Sequence, residues 1–176
     1  MSRSKRSMSV YVFAALFTAI ATACSAGEQG VTQAQPDDPV ISLSEGPCLG
    51  TCPVYDMTLH ADGAYVLNGE RFVKATGVSE GKLGKQAWSK AQAALEKAGF
   101  WSLKPVQTPE TLATCHTDAP TAKVTWRTAE GKEKTVTYDA GCGVQEMQTL
   151  VSELREALGF GDLVWTDDRF DPSGNR

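Results

Sequence analysis

The sequence predicts an α+β domain, with an antiparallel β-sheet and two helices packed on one face, in the order ββ(β)α followed by ββα. Three observations predict it. Period-two alternation marks residues 54–60, helical spacing recurs at residues 83–98 and again at 144–158, and turn signals separate these segments. At 176 residues, 41% hydrophobic and 22% charged, the chain has room for one core and needs no second.

Val40, Ile41 and Leu43 make the first strand, which Glu45-Gly46-Pro47 ends. In the second, Tyr55, Met57 and Leu59 alternate with Asp56, Thr58 and His60, so one face is buried and the other solvated. Ala61-Asp62-Gly63 turns the chain into a partner strand at residues 64–67, and Asn68-Gly69 turns it again towards the third strand of this meander at 71–74. A glycine-rich approach through Gly77, Gly81 and Gly84 leads to the first helix. There Leu83, Ala87, Trp88, Ala91, Leu95 and Ala98 form one stripe, and Gly99 is a left-handed cap. Phe100 and Trp101 are expected to fold back onto the core. Residues 104–120 form a long connector containing Pro105, Pro109, Cys115 and Pro120. A second hairpin joins residues 122–128 to 134–138 through Glu130-Gly131, with Val124, Trp126, Val136 and Tyr138 inward. In the last helix Val144, Met147, Val151, Leu154 and Leu158 are spaced 3, 4, 3 and 4, with Gly159 just past the end. Glu146 and Arg155 sit at the ends that suit the helix dipole.

Before this body lies an export signal, residues 1–23. Arg3, Lys5 and Arg6 precede an apolar run at residues 10–20, and Ala21, Thr22 and Ala23 lead into Cys24. A small-residue run ending in cysteine resembles the lipobox of bacterial lipoproteins, which implies lipidation of Cys24; Ala21 stands where leucine is usual. Each buried methylene of an acyl chain contributes about 0.8 kcal/mol, so several chains would hold the protein on a bilayer. Ser25 after the cysteine favours the outer membrane, facing the periplasm. Residues 24–39 read as a flexible tether with a reach of about 20 Å, residues 40–160 as the folded domain, and residues 161–176 as a polar C-terminal tail.

Composition excludes some partners. Without the three leader cations the chain carries 14 basic against 21 acidic side chains, a net of −7, which argues against nucleic acid. Four cysteines besides Cys24 argue for two disulfides in an exported protein. Of the three pairings of Cys48, Cys52, Cys115 and Cys142, the simplest joins Cys48 to Cys52 and Cys115 to Cys142. A redox role for Cys48 and Cys52 needs a depressed thiol pKa. Pro53, the following strand and the nearby Glu45 and Asp56 all work against that. Cys115, His116 and Asp118 are metal-ligand types, but adjacent residues seldom share one zinc, so neither a metal nor a cofactor is expected. The outward strand face carries Thr58, His60, Lys123 and Arg127. Solvent normally sees such a surface, and the functional alternative is docking of another envelope component.

Cys48-Leu49-Gly50-Thr51-Cys52-Pro53-Val54-Tyr55, followed by Asp62-Gly63, Tyr65, Gly69, Val73 and Gly77, resembles a bacterial family of uncharacterised envelope domains with a Cys-x-Gly-x-Cys-Pro-x-Tyr signature. Thr117-Asp118-Ala119-Pro120-Thr121 is similar to a second segment of that family. The resemblance implies an envelope location and no established activity, and it favours a bridge between Cys115 and Cys142. The expectation is therefore a membrane-anchored envelope lipoprotein domain, not an enzyme, acting as an interaction or structural module with an envelope protein partner. Two alternatives are a thiol-disulfide or metal-binding function at Cys48 and Cys52, and an inhibitor-like binder presenting the loop between them.

Overall fold

A computed structural model describes residues 38–166. The expected export signal, Cys24, the expected tether as far as residue 37 and the expected tail from residue 167 lie outside the described residues. Seven strands form one mixed sheet: β1 (Val40–Glu45), β2 (Val54–His60), β3 (Ala64–Arg71), β4 (Gly77–Lys82), β5 (Val106–Gln107), β6 (Thr121–Arg127) and β7 (Glu133–Asp139). Helix α1 (Lys85–Lys97) follows β4, α2 (Gln145–Ala157) follows β7, and a short α3 (Phe160–Leu163) closes the order. The α+β class is as the sequence indicates.

Strand order across the sheet is β4-β3-β2-β1-β6-β7-β5, so β1 is central and joins the β2-β3-β4 meander to the β6-β7 hairpin and its edge strand β5. Ile41 lies between Leu59 on β2 and Trp126 on β6, and Leu43 between Met57 and Val124. This register places Ile41, Leu43, Met57, Leu59, Val124 and Val136 in one buried cluster with Ala91 and Leu95 of α1 and Met147, Leu150 and Leu154 of α2. Their burial supplies the main folding drive, at about 25 cal/mol per Å² of apolar surface.

The helix ends follow from the glycines. Gly99 and Gly159 both adopt left-handed φ values, 60° and 67°, directly after α1 and α2. Phe100 then turns back and is fully buried, while Trp101 stacks on Trp126 with centroids 4.9 Å apart. The folded unit continues past residue 160, since Val164 is fully buried and its carbonyl accepts from the Lys74 N–H at 2.9 Å.

Three expectations are corrected. The sheet is mixed, not purely antiparallel, because β5 inside the connector pairs parallel with β7. Asn68-Gly69 is not a turn: β3 runs on to Arg71, and the residues beyond it reverse the chain, with Phe72 at φ 54°. Gly69 serves close backbone approach, since a Cβ there would sit 2.2 Å from the Ala75 carbonyl oxygen. The strand expected at residues 71–74 is instead β4, within the stretch read as a glycine-rich approach. Every residue of β4 is exposed, so it has no apolar alternation for sequence reading to find.

Candidate functional site

The inward parity of β1 runs Ile41, Leu43, Glu45, which carries a carboxylate into the core face directly opposite Tyr55. Glu45 is only 5% exposed. The Tyr55 hydroxyl donates to Glu45 Oε2 at 2.7 Å, and Arg155 Nε of α2 donates to the same oxygen at 2.8 Å. Arg155 Nη2 donates to Oε1, completing a two-pronged clamp. The guanidinium lies 5.1 Å from the Phe160 ring centroid, and Phe160 in turn lies 5.7 Å from Tyr55. Four elements are thus tied at one end of the sheet. Burial, and then the Glu45 charge, push the Tyr55 hydroxyl well above its ordinary pKa. Burial pulls the Arg155 guanidinium down, but its hydrogen bond to Glu45 and the carboxylate charge outweigh that and raise it.

From this clamp Gly46-Pro47 leads straight into the cysteine turn. Cys48 and Cys52 are bonded, with Cα atoms 5.8 Å apart, and so are Cys115 and Cys142. The Gly46 N–H donates to the Thr121 carbonyl at 2.8 Å, and the Leu49 N–H to the Asp118 carbonyl at 3.1 Å. Residues 48–55 and 117–121, far apart in sequence, therefore meet at one sheet end. Asp118 adopts φ 73°, and the connector before it is fastened by the Cys115 bridge and by the His116 N–H donating to Gly141 at 2.9 Å. Gly141 is required there, because a Cβ would fall 2.2 Å from the His116 carbonyl oxygen. Held this way, the ring projects Leu49, which is 80% exposed. Beside it a cavity of about 350 Å³ is lined by Ser44, Glu45, Tyr55, Asp56, Glu70 and Lys123 among others.

The predicted surface residues all fall on the outward parity of the sheet. Thr58 and Thr125 both flank Ser42, and Thr135 follows, giving a hydroxyl row across four strands. Ser42 Oγ and Thr58 Oγ1 are 2.9 Å apart, and Thr125 Oγ1 and Thr135 Oγ1 are 2.8 Å apart. His60 and Arg127 flank Val40 in the adjoining row, and Arg127 Nε is ion-paired at 3.0 Å with Glu133. Lys123 is exposed at the cavity rim and is the most accessible of the four. His116 and Asp118 are exposed, and Cys115 is committed to its bridge. No group of three or more histidine, cysteine, aspartate or glutamate side chains gathers for a metal among the described residues.

Sequence reading missed the Glu45–Tyr55–Arg155 clamp. The signal was present in the alternation of β1, which makes Glu45 inward, and in the position of Arg155 one turn past Val151 on the apolar stripe of α2. In sequence, Glu45 reads as part of a strand-ending turn and Arg155 as a residue that suits the helix dipole.

The profile of a family described as a domain of unknown function, DUF6438, matches residues 39–158. The chain belongs to that family. The DUF6438 span takes in the central sheet, both bridges, the clamp and both long helices. No curated protein matches the chain.

Proposed function

We propose that this DUF6438 protein is a non-catalytic interaction module of the bacterial cell envelope, lipid-anchored through Cys24 to the outer membrane and facing the periplasm. In this reading the two long helices cover one face of the sheet, and the opposite face meets an envelope protein. The observation that carries it is the pairing of a rigid end with an open surface. Two crosslinks and the buried clamp hold the sheet end that bears the cavity, while Thr58, His60, Lys123 and Arg127 share the outward face. A surface fixed before binding loses little conformational freedom on association, which favours affinity. The acidic body argues against nucleic acid, and the cationic, then apolar, N-terminal stretch ending at Cys24 supports the envelope setting.

The test places a photo-crosslinking residue at position 123, and separately at position 92 on α1, in cells expressing the full chain. The reading expects a discrete crosslinked envelope protein from position 123 that is absent from position 92 and lost on Arg127→Glu. Equal labelling from both positions contradicts it.

A second reading is favoured by Leu49 alone. A large apolar side chain left 80% exposed on a crosslinked ring is the shape of an inhibitor-like loop that inserts into a partner's cleft. Leu49→Asp then abolishes capture, whereas under the sheet-face reading it leaves capture unchanged.

A further inference from the structure

The two edges of the sheet are built differently. At one, β5 is two residues long and lies between Pro105 and Pro109, so it offers almost no template for another strand. At the other, β4 is six residues long and pairs with β3 without a register shift. It contains no proline, and all six of its residues are exposed. Its one apolar side chain, Val78, is 69% exposed, so the strand adds nothing to the core. What holds it is its backbone ladder and the Tyr65 ring, which lies where a Cβ on Gly81 would meet it at 2.7 Å. Among the described residues no strand pairs with the outer side of β4, so its edge is open along a fixed line.

We propose that the open edge of β4 is a strand-addition site for an extended polypeptide segment whose alternate side chains are basic and apolar. Val78, Glu80 and Lys82 share one side of β4, with Gly77, Ser79 and Gly81 on the other. Lys82 is already neutralised by Asp62 at 3.1 Å, which leaves Glu80 to select a basic side chain and Val78 an apolar one. Charge argues against a second copy as the occupant. Antiparallel pairing of two β4 strands over all six residues sets Glu80 against Ser79 of the other copy, so a second copy leaves Glu80 without a cation opposite it. The site lies on the sheet edge, two strands from Thr58 in the same outward row, so it adjoins the surface proposed above and differs from it in binding through backbone pairing.

The test uses the acetylated and amidated peptide Thr-Thr-Thr-Lys-Thr-Val-Thr, which in antiparallel register sets Lys against Glu80 and Val against Val78. Binding to the folded protein is followed by amide hydrogen exchange resolved by residue. The result expected is slowed exchange at alternate amides within residues 77–82. Glu80→Lys should weaken binding roughly fivefold, and a peptide with Glu in place of its Lys should recover that loss on the variant. Glu80 is fully on the surface, so the variant keeps the fold. The proposal is overturned by unchanged β4 exchange at about 1 mM peptide, by protection centred on another surface, or by a dimer that buries β4 without peptide.

Discussion

The two disulfides differ in what they fix. Cys142 is buried, and its bond to Cys115 spans 27 positions, fastening the connector to the turn before α2. Cys48 and Cys52 are half-exposed, only four positions apart, and their ring carries an exposed leucine outward. One bridge shapes the fold and the other shapes a surface. They are not independent, because the Leu49 N–H docks on Asp118, three residues beyond Cys115. The long bridge thereby supports the seat on which the short ring rests.

The largest effect expected is from the long bridge. Replacing Cys115 and Cys142 together with serine should lower unfolding free energy by about 3.6 kcal/mol in the chain-entropy model. Urea denaturation measures this, and a loss no greater than that from the short ring breaks the contrast. Arg155→Met comes next. It leaves the Glu45 carboxylate buried beside Tyr55 alone and should cost about 3 kcal/mol, at the low end for a broken buried pair because the Arg155 side chain keeps 39% exposure. Serine at both Cys48 and Cys52 should cost about 2 kcal/mol, and a double cycle with the long bridge should reveal coupling through Leu49 and Asp118.

Smaller still is an alkaline effect. Tyr55 and Tyr138 both have raised folded pKa values, chiefly from burial. Their contribution is complete below the unfolded tyrosine pKa of about 10 and is lost as pH rises through the folded values. Stability should therefore decline above about pH 10. Tyr55→Phe should flatten part of that limb while removing about 1 kcal/mol at neutral pH for the lost hydrogen bond. A pH series of urea midpoints checks both. Leu49→Ala should change stability by less than about 0.5 kcal/mol; a greater loss would make the ring tip a packing element.

The contrast also explains what was legible in the sequence. Elements with one apolar face were readable: β2 from Tyr55, Met57 and Leu59, and α2 from Met147, Val151 and Leu154, because burial writes a period into the chain. Gly99 and Gly159 were readable as helix ends because few other residues accept those φ values cheaply. Three features were not readable in that way. β4 is held by backbone pairing and leaves no apolar pattern, and β5 is too short to make one. α3 is a single turn whose buried neighbour, Val164, lies in a stretch that reads as polar tail. At the candidate site, the face bearing Thr58, His60, Lys123 and Arg127 follows from alternation alone. The clamp beneath it depends on Arg155 reaching Glu45 across 110 positions, a pairing that local spacing cannot express.

The decisive measurement is mass-resolved alkylation, before and after reduction, of the mature protein purified from its native compartment. The result expected is an N-terminal Cys24 carrying acyl mass, no free thiols in the folded body, and a Cys48–Cys52 bridge that survives mild glutathione. A free or readily reduced Cys48 and Cys52 pair, or a mature chain whose Cys24 carries no lipid, would contradict a lipid-anchored module that acts by binding alone.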